Sequence, residues 1–85
     1  MIQISPNAEQ PDFPTLEKGI YRHNKKGQLY EVVGVALQTE TSEPLVLYRP
    51  LYESKYEIFA RPYDMFTEIV ELHGEMKPRF QKIDG

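Results

Sequence analysis

Two arginines in this chain each stand directly before a proline, in Arg49-Pro50 and Arg61-Pro62. A residue that precedes proline is held in extended backbone, so both guanidinium groups belong on strand-like segments. The two segments, Leu45 to Tyr52 and Ile58 to Arg61, are separated by the polar turn Glu53 to Glu57. If Tyr52 pairs with Ile58 across that turn, antiparallel counting sets Leu51 against Phe59, Pro50 against Ala60 and Arg49 against Arg61. Like charges placed opposite each other destabilise a sheet unless an anion lies between them. Two forked donors side by side suit a carboxylate or a phosphate. The plainer alternative is that Glu31, Glu40 or Glu68 satisfies one arginine while the other faces solvent. Register decides between them, because a one-residue slip carries every side chain to the other face.

The next candidate is the loop Gln38-Thr39-Glu40-Thr41-Ser42-Glu43, which collects an amide, hydroxyls and carboxylates between two strong strands. Gln38, Thr39, Glu40 and Thr41 are its expected ligand contacts, with Glu40 as the base if the protein does chemistry. Read blandly, it is a solvated hairpin loop whose Thr and Ser bond their own backbone. Among the six tyrosines, Tyr30 and Tyr48 are expected in the core, and Tyr52 and Tyr63 as exposed contacts. His23, at a strand end, joins the candidate site, whereas His73 beside Gly74 reads as a turn residue. No cysteine or paired histidine supplies a zinc signature, so neither a metal nor a cofactor is expected. The serines lie outside any nucleophile-elbow pattern, and there is no phosphate-binding glycine loop.

These residues must be positioned by short strands. Residues 1–18 carry Pro6, Pro11 and Pro14 among polar residues and read as an extended or partly disordered lead-in, with Ile2 and Ile4 offering a short edge strand. From residue 19 to 85 apolar runs alternate with turn chemistry: Ile20 to His23, Leu29 to Leu37, Leu45 to Tyr52, Ile58 to Arg61, Thr67 to Leu72, and Pro78 to Ile83. Pro50 predicts a bulge or a strand end, and Tyr63 to Phe66 a single helical turn. Phe80 is expected to dock into the core, and Arg79 to join the arginine pair or a nearby acid. Five or six short strands at this spacing indicate an all-β protein, a small antiparallel SH3-like barrel.

Composition narrows the partners. Acidic residues outnumber basic ones, 13 to 10, for a formal charge of -3, whereas nucleic-acid binders take most of their affinity from a basic surface. Broad nucleic-acid binding is therefore disfavoured. There is neither a signal-peptide pattern nor an apolar run of the roughly 20 residues a membrane helix needs, and the expected location is the cytoplasm.

Several short motifs recur in an order that is already familiar. Gly19-Ile20-Tyr21-Arg22-His23, Lys26-Gly27 and Leu29-Tyr30-Glu31-Val32 open the series. Thr39-Glu40-Thr41, Glu43, Tyr48-Arg49, Leu51-Tyr52, Arg61-Pro62, Met65-Phe66 and Pro78-Arg79-Phe80 continue it. Across residues 16–83 the chain resembles the bacterial domain-of-unknown-function 1653 family. The resemblance implies a small bacterial β-barrel protein and brings no activity, cofactor or catalytic residue. One departure is Gln38, where the family commonly has histidine before Thr-Glu-Thr, so an imidazole-dependent role at that position does not carry over.

The reading that best joins these features is a small binding module. A barrel face bearing Arg49, Arg61, the 38–43 loop, Tyr52, Tyr63 and His23 would hold an anionic small molecule or a peptide. The alternatives are a small hydrolase or nucleotide-modifying enzyme with Glu40 as base, and a structural homodimer or assembly module.

Overall fold

The structure, a computed structural model, describes residues 13–84. The expected edge strand at Ile2 and Ile4, and the lead-in up to residue 12, lie outside the described residues. The described residues are all-β apart from one helical turn, as expected, with seven strands rather than five or six. They are β1 (Gly19–His23), β2 (Leu29–Gln38), β3 (Glu43–Pro50), β4 (Phe59–Pro62), β5 (Ile69–Leu72), β6 (Glu75–Pro78) and β7 (Phe80–Lys82), with α1 (Tyr63–Phe66) between β4 and β5. The additional strand comes from the C-terminal segment, which divides around Arg79. Its first part turns back on β5 through His73 and Gly74. Both have positive φ, 54° and 83°, the backbone that a tight hairpin turn demands and that glycine adopts without strain.

The main sheet has the strand order β4-β3-β2-β1-β7, and β5 and β6 form a separate antiparallel pair. Alternation gives the main sheet its two faces. Tyr21 and His23 of β1, Tyr30 and Val32 of β2, Val46 and Tyr48 of β3, and Phe80 of β7 are all buried on the concave side. The parity of β2 changes midway: Val32 faces Tyr48 and Gly34 faces Leu47, so Val33 is an extra residue. This bulge bends the strand and adds twist, and beyond it Val35 stands opposite Val46. Pro50 ends β3, where its missing donor costs the ladder nothing.

Across four inter-strand gaps a flat sheet would hold β4 and β7 roughly 19 Å apart. Yet the Arg61 guanidinium of β4 lies 5.5 Å from the Phe80 ring centroid of β7. The sheet is therefore curled into a half-barrel. Its interior is aromatic: Phe66, delivered by α1, stacks on Phe80 at 4.0 Å and an interplanar angle of 6°. Tyr48 meets the pair edge-on, 5.1 Å from Phe66 and 5.5 Å from Phe80. The described end of the lead-in is tied down as well. Leu16 packs on the core, and the Tyr21 hydroxyl donates to the Glu17 carbonyl at 2.7 Å.

Phe66 is 1% exposed, and its removal leaves a hole facing Phe80 and Tyr48. Phe66→Ala is expected to lower unfolding free energy by about 3–5 kcal/mol, measured by urea denaturation. Exposed Leu37→Ala should stay within roughly 0.5 kcal/mol. Equal costs for the two would contradict the core described.

Candidate functional site

The observed β3–β4 register places Val46 against Arg61 and Tyr48 against Phe59. The sequence-based pairing had Arg49 opposite Arg61, and the difference between positions 49 and 46 is three places. An odd shift reverses the face, so the expected arginine pair is corrected. Arg61 points into the concave side beside Val46 and Tyr48, and Arg49 points outward. Arg49 there meets its register neighbour Glu31, Nε to Oε1, at 3.2 Å, with both side chains about half exposed. Glu31 thus satisfies one arginine, as the plainer alternative held, and the other lies in the mouth of the barrel rather than in open solvent.

Arg61 is built into a cleft of about 220 Å³ that also involves His23, Lys26, Tyr30, Tyr48, Tyr52, Phe59 and Phe80. Its Nε donates to the Tyr48 hydroxyl at 3.2 Å, and its guanidinium carbon rides over the Phe80 ring, a cation–π contact that fixes the plane of the fork. Among the described residues Arg61 forms no ion pair. Among those residues no carboxylate lines the cleft, whereas Lys26 does. A pocket on an acidic chain therefore carries two cations and, among the described residues, no counter-charge.

His23 is 4% exposed and packs edge-on against Phe80. The backbone N–H of Lys26 donates to its Nδ1 at 3.2 Å. The turn after β1 creates this bond: the Gly27 N–H returns to the His23 carbonyl at 2.6 Å, with Gly27 at φ 79°. With Nδ1 accepting, the neutral ring carries its proton on Nε2. Burial pushes the imidazole below its ordinary range, and the nearby charges of Lys26, Arg61 and Arg79 push the same way. At neutral pH His23 is thus a neutral donor among cations, suited to holding an anion and not to accepting a proton at Nδ1.

Tyrosine hydroxyls complete the cleft. Tyr52 and Tyr30 meet oxygen to oxygen at 3.0 Å, and the Tyr30 hydroxyl donates to Gln28 Oε1 at 3.2 Å, so Tyr52 supplies the proton of the first bond. Burial raises the Tyr30 phenol well above its usual range. It stays protonated and neutral.

Of the residues singled out from sequence, the cleft joins His23, Tyr52 and Arg61. Tyr63 is elsewhere, its hydroxyl donating to the Thr15 carbonyl at 3.1 Å. The 38–43 loop forms the β2–β3 hairpin tip and lines no part of this cleft. There the Glu40 N–H donates to Gln38 Oε1, the Glu43 N–H to Thr41 Oγ1, and the Thr39 hydroxyl to the Glu40 carboxylate. Its polar groups bond within the loop, with Ser42 at φ 62° completing the turn. Arg79 pairs with Glu68 at 2.8 Å across the open end of the β5–β6 hairpin, one position beyond the Ile69–Pro78 pair. Lys26, Phe59 and the cleft-facing roles of Tyr30 and Tyr48 were not anticipated. The alternations Tyr21-x-His23 and Phe59-x-Arg61 carry the available signal, since each puts a polar group on an aromatic face. Among the described residues no cluster of three His, Asp or Glu side chains has the geometry to hold a metal ion, and no helix is long and apolar enough to cross a membrane.

Comparison with known proteins places this architecture. Residues 19–82 match the family model described as "Protein of unknown function (DUF1653)". The chain belongs to the DUF1653 family. A crystal structure of a DUF1653 protein from Bordetella bronchiseptica is 32% identical, with a TM-score of 0.73 over 80% of this chain and 87% of that one. No curated protein matches the chain. The DUF1653 match begins at β1 and ends in β7, so it includes every residue that lines the cleft.

The lowered pKa of His23 has a signed consequence. Between its folded value and the unfolded value near 6.5 the unfolded chain binds more protons, so stability rises with pH through that window and is complete above it. Unfolding free energy is expected to fall as pH drops from about 7.5 to about 5.5, and His23→Gln should flatten that slope. An unchanged slope in the variant would show that His23 does not titrate as described.

Proposed function

We propose that this protein is a binding module of the bacterial cytoplasm that holds an anionic group of its ligand in the Arg61 cleft. The observation that carries the reading is a guanidinium, pinned beside Lys26, that among the described residues has no ion-pair partner and shares its hollow with no carboxylate, on a chain whose net charge is -3. Acidic proteins concentrate positive charge locally where an anion is to be held, because the low-dielectric walls strengthen the attraction. Two parallel Nη donors suit a carboxylate or phosphate edge-on, and the Nε2–H of His23 and the hydroxyl proton of Tyr48, which accepts from Arg61 Nε, offer further donors. Arg49 is not part of this reading, since Glu31 already neutralises it.

A ligand that binds only the folded state raises its melting temperature. Acetate, glutarate and inorganic phosphate, titrated at low ionic strength, are expected to raise the Tm of the wild-type chain. Arg61→Gln should abolish the rise, Arg61→Lys should weaken it, and Arg49→Gln should leave it intact while costing roughly 0.2–1 kcal/mol of stability. Should Arg49→Gln remove the response and Arg61→Gln and Arg61→Lys retain it, the cleft is misassigned.

A further inference from the structure

Tyr52 belongs to two hollows at once. On one side lies the Arg61 cleft; on the other is a second hollow of about 330 Å³, bounded by Arg49, Pro50, Tyr56, Glu57 and Ile58. The segment between β3 and β4 leaves apolar surface uncovered here, with Tyr56 57% and Ile58 46% exposed. Lys55 lies over the Tyr56 ring at 5.5 Å. The charges of the two hollows differ. Among the described residues the first holds Lys26 and Arg61 and no carboxylate, whereas in the second Arg49 is matched by Glu31 and Glu57 adds a negative charge.

Resting on the anion reading above, we infer that the ligand is an extended peptide carrying an acidic side chain and, two residues away, an apolar one. The acidic side chain enters the Arg61 cleft, the backbone crosses Tyr52, and the apolar side chain settles against Tyr56 and Ile58. Three considerations favour this occupant. The first hollow is smaller than the roughly 300–1,000 Å³ usual for a whole small-molecule ligand, and it suits one side chain. In an extended chain, side chains two apart stand about 6.6 Å from each other on the same side, which lets them straddle a single tyrosine ring. Finally, Glu57 repels a second negative group, which disfavours a polyanion such as single-stranded nucleic acid and favours one acidic residue beside an apolar one. Exposed Tyr and Arg side chains also dominate the energetics of peptide and protein recognition.

The test is an NMR titration of the full 15N-labelled chain with end-capped tripeptides. Acetyl-Glu-Ala-Leu-amide and its reverse, acetyl-Leu-Ala-Glu-amide, are compared with acetyl-Glu-Ala-Ala-amide, free acetate and a short oligothymidylate. At least one leucine-bearing tripeptide is expected to shift the amides of Lys26 and Arg61 together with those of Tyr56 and Ile58. It should bind about ten-fold tighter than acetyl-Glu-Ala-Ala-amide, a difference of roughly 1.4 kcal/mol. Ile58→Ser, a change at an exposed position, should remove that gain and leave binding of the leucine-free peptide unchanged. If acetate and acetyl-Glu-Ala-Ala-amide shift Lys26 and Arg61 but leucine adds nothing, the anion reading stands and the peptide inference falls. Tighter binding of the oligothymidylate also overturns the peptide. If no carboxylate probe shifts the Arg61 cleft, both readings fall.

Discussion

Phe80 lies where the two ends of the main sheet meet. It stacks on Phe66, receives Tyr48 and His23 edge-on, and carries the Arg61 guanidinium on its face. Strand β7 is one edge of the sheet and β4 the other, so this single ring holds the curl that turns a five-stranded ladder into a half-barrel. In a chain without cysteine or tryptophan, aromatic packing is the main source of such closure, since each buried ring removes a large apolar area from water and gains from edge and stacked contacts. The cleft is a by-product of that closure. Without the curl, Arg61 and His23 would lie on strands separated by β3 and β2.

The same packing sets the electrostatics. His23 is buried against Phe80, and burial together with the surrounding cations keeps it neutral. The turn ending at Gly27 hands its Nδ1 a backbone donor and so directs the ring's own proton to Nε2. Arg61, pinned through Nε and by the ring beneath it, loses little freedom when its remaining donors engage a ligand, a form of preorganisation. These groups are held by their second contacts, which lie in the core.

Four other cations meet carboxylates near at hand. Arg49 meets Glu31, Arg79 meets Glu68, Lys77 meets Glu75, and Lys82 bonds to Asp84. Asp84 accepts from the Ile20 N–H, and that bond, then the one from Lys82, hold its carboxyl below the usual carboxylate range. The 38–43 loop closes on itself in the same way. Concentrations of polar residues in sequence thus proved self-contained, while the distinctive charges come from residues far apart along the chain.

The all-β class, the positions of six of the seven strands, the helical turn ending at Phe66, the turn role of His73 and the burial of Tyr30, Tyr48 and Phe80 were legible in the sequence, because each depends on local propensity and on period-two alternation. The extra residue at Val33 was not, since Val32-Val33-Gly34-Val35 is nearly all apolar and gives no parity to read. The register between β3 and β4 was also beyond reach, as it is set by how Phe59 and Tyr48 pack inside the curl and not by the length of the turn between them. That register separated Arg49 from Arg61 and brought Arg61 to His23, Lys26 and Tyr52. Composition and pattern by themselves determined what kind of sheet forms and which rings it buries. Only the closed tertiary structure decided which charges share a face, because a strand offers two faces and long-range packing selects between them.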